Sequence, residues 1–248
     1  MYKKFLLLGL VAGALSLNNC KPTDGGDPVP TEVIAPETTI PPGIKNVDGV
    51  FMAINTITKT SGVELEIGTA HAAFYKNQNS ATKLDGGTVS VNAKTLTKSD
   101  DNTYFYAASA TEKGGIDYNS QINWVSTGNT SNGLASIGDN DGTGFPNLPV
   151  LSEVINLDKT MDNLINWATG FGGDSVIFII KGPSATFKKV LPSNTTKYTL
   201  PMAEIAKIGT GTGTIYVINY KALTKTYGGK NYAFIKQSIA VCSKTNIE

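Results

Sequence analysis

The chain has a single histidine, His71, within Thr69-Ala70-His71-Ala72-Ala73-Phe74. One histidine is enough for a Ser-His-Asp triad. No Gly-x-Ser-x-Gly elbow is present to hold out a nucleophile, however. A zinc centre built on two or three histidines is excluded by the count alone. His71 therefore reads as structural. Cys242, in Ile239-Ala240-Val241-Cys242, reads as a small buried apolar residue rather than a reactive thiol. Gly209-Thr210-Gly211-Thr212-Gly213 has the glycines of a phosphate loop. A dinucleotide site needs strand, glycines and then a helix whose N-terminus meets the pyrophosphate. Here a helical turn precedes the glycines and a strand follows, so they read as a turn, and no nucleotide is expected. Asp139-Asn140-Asp141 on a Gly-rich stretch could supply oxygen ligands to calcium. The match to an EF-hand loop is poor, with glycine at the fourth position and Val150 at the twelfth. Tyr216 and Tyr220 share one face of a predicted strand. Exposed, they would make a platform for the C–H faces of sugars; buried, they would stabilise the sheet by cross-strand packing. The two carboxylates of a glycosidase converge only in the fold and leave no spacing signature. No catalytic residue is assigned.

Composition narrows the partners. All 21 basic residues are lysine, and there is no arginine, which removes the best bidentate partner for carboxylate and phosphate. Without Lys3 and Lys4, 19 lysines face 20 acidic residues, a formal charge of −1. No lysine run is present to neutralise phosphates, so nucleic acid is not an expected partner. Of the 2 cysteines, Cys20 and Cys242, the first is expected to be modified, which leaves no disulfide.

The elements that must position any site are short strands. Val50 to Thr58 is apolar and β-branched, Val63-Glu64-Leu65-Glu66-Ile67 alternates strictly, and Thr88 to Val91 follows a turn at Asp85-Gly86-Gly87. Tyr104-Phe105-Tyr106 and Ile122 to Val125 continue the series. Gly128 to Asn147 is polar and Gly-rich and reads as a loop or junction. A second series holds Leu164 to Trp167, the apolar run Asp174 to Ile180, one or two helical turns at Pro201 to Lys207, and a hairpin. The hairpin pairs Gly213–Tyr220 with Asn231–Ile235 around Tyr227-Gly228-Gly229-Lys230. Trp124 and Trp167 are expected in the core. Lys21 to Val47 holds six prolines and is read as an extended linker.

Two resemblances complete the reading. Met1-Tyr2-Lys3-Lys4, the uncharged run Phe5 to Leu17 and Leu17-Asn18-Asn19-Cys20 resemble a bacterial lipoprotein signal and lipobox. The resemblance implies removal of residues 1–19 and acylation of Cys20, with palmitate among its chains. It further implies anchoring in the cell envelope through the outer membrane, since two or more chains anchor stably. The second strand series resembles the immunoglobulin-like and fibronectin-like modules of bacterial surface proteins. The expected organisation is a signal peptide over 1–19, a lipidated linker over 20–47, a β-sandwich module over 48–127, a junction over 128–147 and an immunoglobulin-like module over 148–248. The expected fold class is all-β. The expected function is non-enzymatic binding or positioning of glycan or another envelope protein, with a polysaccharide hydrolase or a structural spacer as the other readings.

Overall fold

Strict alternation of apolar and polar residues forces the chain into strands with two distinct faces. The computed structural model describes residues 41, 43–78, 80–109, 111–118, 121–168 and 172–248. The expected signal peptide 1–19, Cys20 and the linker as far as residue 40 lie outside them. The chain divides into two units, Met1–Thr38 and Thr39–Glu248, of which the second holds every described residue.

Nine strands come first: β1 (Gly49–Thr60), β2 (Val63–Tyr75), β3 (Lys83–Leu84), β4 (Val89–Val91), β5 (Lys94–Thr95), β6 (Thr97–Lys98), β7 (Thr103–Tyr106), β8 (Ile122–Ser126) and β9 (Ile137–Asp141). Next are β10 (Val154–Leu157), β11 (Asn163–Asn166), β12 (Ser175–Lys181), β13 (Thr186–Pro192) and β14 (Lys197–Leu200). One helix, α1 (Met202–Ile208), then leads into the long hairpin of β15 (Gly211–Tyr227) and β16 (Lys230–Ile247). The chain is all-β and sandwich-like, as its alternation predicts. The expected short helical segment and the expected hairpin are present, but β2 and β16 run far beyond their predicted ends.

A ten-stranded sheet has the order β13-β12-β15-β16-β1-β2-β7-β6, with β10 also on β16 and β3 on β2. Strand β16 sits centrally, antiparallel to β15 and parallel to β1. This corrects the expectation of two modules over 48–127 and 148–248: both segments contribute strands to one sheet. The physical reason lies in the shared core. Phe51 of β1 stacks on Phe234 of β16 at 4.9 Å with the rings 5° from parallel, so neither segment completes its core alone. The expected junction 128–147 is likewise corrected, because it contains β9, paired with β8.

One face of the large sheet carries two cores. The first lies beneath the four-stranded sheet β5-β4-β8-β9 and joins Phe51, Phe74 and Phe234 to Val89, Ile122 and Trp124. The second lies beneath the β11–β14 pair and α1 and joins Phe178 and Val217 to Ile165, Trp167, Leu200 and Ile205. Both tryptophans are therefore core, as expected. A third core, with Met52, Ile54, Ile177, Ile179 and Ile218, occupies the opposite face. Val47 belongs to it and Ile44 packs against it. The folded part thus begins inside the stretch read as linker, before Asp48.

Candidate functional site

Between the first two cores the large sheet turns polar. On one face β16 reads Tyr232, Phe234, Lys236, Ser238, Ala240, Cys242, so two polar side chains separate two apolar pairs. Asn219 and Lys221 of β15 stand opposite Ser238 and Lys236. The segment after β9 crosses the sheet along this seam and is tied to it by its own carbonyls. Lys236 Nζ donates to the Thr143 carbonyl at 2.5 Å, Ser238 Oγ to that of Pro146 at 2.5 Å, and Asn219 Nδ2 to that of Asn147 at 3.0 Å. A crossing segment has no ladder of its own, and buried side chains supply its partners instead.

Strand alternation on β9 sends Asp139 and Asp141 toward the large sheet and Asn140 to solvent. Each carboxylate meets a lysine of the hairpin. Lys225 Nζ lies 2.5 Å from Asp139 Oδ1, and Lys236 Nζ lies 2.8 Å from Asp141 Oδ2. Tyr227 also donates to Asp139 Oδ1, at 2.8 Å. Burial works to raise the Asp141 pKa, but bonds from Lys236 and Thr143 outweigh it and hold the carboxyl below its usual value. Burial, with the Asp139 bond adding to it, pushes the Tyr227 hydroxyl up to about 12.

These contacts correct the calcium expectation at Asp139, Asn140 and Asp141. The strand splits the three residues between two faces, and lysine ammonium groups already neutralise both carboxylates. Among the described residues, no three His, Cys, Asp or Glu side chains converge as metal ligands would. The glycan platform at Tyr216 and Tyr220 is corrected too. Alternation puts both on one side of β15, as expected, but that side carries the third core, and the residues are 2% and 4% exposed. Lys181 Nζ lies 5.6 Å from the Tyr216 ring centroid.

The ion pairs border an open cleft of about 430 Å³. Phe234 and the half-exposed Leu223 form its apolar part, and Asn140, Thr143, Lys221 and Lys236 its polar part. Lys225 bridges the two, with its ammonium 5.5 Å from the Phe234 ring centroid. A second cleft, of about 400 Å³, opens over Asp85, Lys98 and Tyr104. There Lys98, the Gly87 amide and the Tyr104 hydroxyl all donate to Asp85 and bring its pKa down to about 2. A glycosidase acid needs the opposite shift. Every carboxylate with a resolved shift among the described residues is lowered.

The remaining sequence candidates are placed as follows. His71 faces the third-core side between Met52 and Phe105, and burial lowers its pKa to about 4, so it is neutral at pH 7. Cys242 is buried in the second core, with Sγ 3.4 Å from the Glu153 carbonyl, and burial raises its thiol pKa. Of the glycines after α1, Gly209 makes the turn, where a Cβ at φ +91° would meet Ser184 Oγ at 2.4 Å, while Gly211 and Gly213 already lie in β15. The hairpin lysines 221, 225 and 236 escaped sequence reasoning. Their one signal was Lys236 on the same strand face as Phe234. No protein-family model matches the chain, and no curated protein matches it.

Proposed function

We propose that the protein is a lipid-anchored protein of the bacterial envelope that binds glycan, without catalysis, in the cleft between β9 and the β15–β16 hairpin. The observation that carries this reading is the cleft's lining. Half-exposed Leu223, opposite the buried Phe234, offers an apolar contact for sugar C–H groups, beside Thr143 and lysine hydrogen-bonding groups. The neighbouring carboxylates are both tied to lysines, which suits a fixed binding surface rather than proton donation. The anchor rests on the Leu17-Asn18-Asn19-Cys20 resemblance.

Two experiments test the parts separately. Cys20→Ser is expected to abolish lipid labelling and move the protein out of the membrane fraction; unchanged fractionation would remove the anchor. On a glycan array, Leu223→Asp is expected to lose binding at an unchanged melting temperature, because that side chain is 50% exposed. EDTA is expected to leave binding intact, since lysines hold both β9 carboxylates. If reducing ends appear when the protein is incubated with the glycan it binds, the hydrolase reading replaces this one.

A further inference from the structure

Three lysines and two aspartates meet at the cleft, and they do not cancel. Lys236 is neutralised by Asp141 at 2.8 Å and Lys225 by Asp139 at 2.5 Å. Lys221 is exposed, and its ammonium group makes no ion pair or hydrogen bond among the described residues. Asp174 Oδ2 accepts a hydrogen bond from the Ala222 amide at 2.8 Å.

The register makes this arrangement costly to the fold. Lys221 and Lys236 are directly opposite each other on β15 and β16, on the same face of the sheet. Like charges in that position repel and destabilise a strand pair. Asp141 forms an ion pair with one member of the pair, and the other has no ion pair among the described residues. A glutamine or threonine at 221 would keep the strand and remove the repulsion. A negative ligand in the cleft would do the same while bound, and would gain the interaction.

We propose that the cleft selects acidic glycans, with Lys221 as the residue that reads the ligand's carboxylate. This rests on the glycan-binding reading and narrows it to uronate- or sialate-bearing sugars. The carboxylate lies at the Lys221 rim, where its charge completes the neutralisation of the three lysines. The sugar ring lies over the half-exposed Leu223, beside Thr143 on the opposite wall. A cleft of about 430 Å³ suits one or two sugar rings and not a polymer surface.

The test uses the full chain and a panel of uronate and sialate oligosaccharides, each beside its carboxyl methyl ester and a neutral oligosaccharide of equal length. Binding is followed by calorimetry at low and high salt. An acid form is expected to bind, to weaken as salt rises, and to lose roughly tenfold or more in affinity as its ester. Lys221→Gln is expected to reproduce that loss while holding or raising the melting temperature, and Lys221→Arg to retain binding. Equal binding of acid and ester would overturn the selectivity and leave glycan binding standing. Acid-selective binding that Lys221→Gln does not change would overturn the assignment of Lys221. Failure of every acidic and neutral oligosaccharide to bind would overturn both readings.

Discussion

Lys236 carries a charge with almost no access to water, its side chain being 7% exposed and that of its partner Asp141 16%. Removing one member of such a pair leaves the other charge buried and uncompensated, a larger loss than the pair's own net contribution. Lys236→Met is therefore expected to cost about 3 kcal/mol, read as a lower denaturant midpoint at unchanged slope. The Lys236→Met/Asp141→Leu double variant is expected to recover most of that loss. A double variant as unstable as the single one would show that the anchoring of the Thr143 segment, not charge, is what Lys236 supplies. His71 gives a second expectation. Burial holds its folded pKa at about 4, below the ordinary histidine value of 6.5. Between those values the unfolded chain binds the extra proton. The stability His71 retains above pH 6.5 is thus lost as pH falls toward 4, on the order of 3 kcal/mol in full. Asp85, held near 2, starts to lose its contribution only below its ordinary 3.8. His71→Gln is expected to flatten the stability profile between pH 6.5 and 4 and leave the steeper loss below pH 4 unchanged.

At the scale of elements, the turn of the β15–β16 hairpin offers a sharp contrast. Gly228 and Gly229 have φ of +56° and +75°, the left-handed pair that a tight hairpin turn needs. A Cβ on Gly228 would lie 2.7 Å from Ala135 Cβ, whereas one on Gly229 would meet nothing within 4 Å. Gly229→Ala is expected to cost about 1 kcal/mol from backbone strain, and Gly228→Ala clearly more, because it also drives the hairpin off the segment before β9. Equal thermal shifts for the two would remove the contact as a cause. Strands such as these were readable because alternation is a local property: β1, β4, β8 and β12 all appear within a residue or two of where the side-chain pattern places them. What local pattern does not encode is the partner. The parallel pairing of β1 with β16 depends on Phe51 meeting Phe234, and nothing near either residue announces the other. The site was illegible for the same reason. Asp139 and Asp141 stood out in the sequence as a pair, but the lysines that neutralise them lie on a different sheet, and their effect on the calcium reading appears only once β9 is laid against the hairpin. Tyr216 and Tyr220 show the remaining limit: period 2 assigns residues to a side and leaves open which side is wet.

At the scale of the molecule, the lower boundary of the fold is testable. Ile44 and Val47 pack on the third core, so a chain starting at residue 41 is expected to melt several degrees above one starting at Asp48. Identical melting would show that the segment before β1 adds no stability. Both chains are expected to be indifferent to reducing agent, since the only cysteine left in them, Cys242, is free and buried. The central place of β16 also bears on the order in which the protein can assemble. Asp48 and Asn231 bond to each other across 183 residues of sequence, at the point where β1 and β16 begin to pair. A ribosome-bound chain therefore carries β1 through most of its synthesis without that neighbour, and the face of Phe51 that stacks on Phe234 stays uncovered until β16 has emerged. Such high contact order means slow closure and a long interval of vulnerability to aggregation, during which a holding chaperone has most to offer.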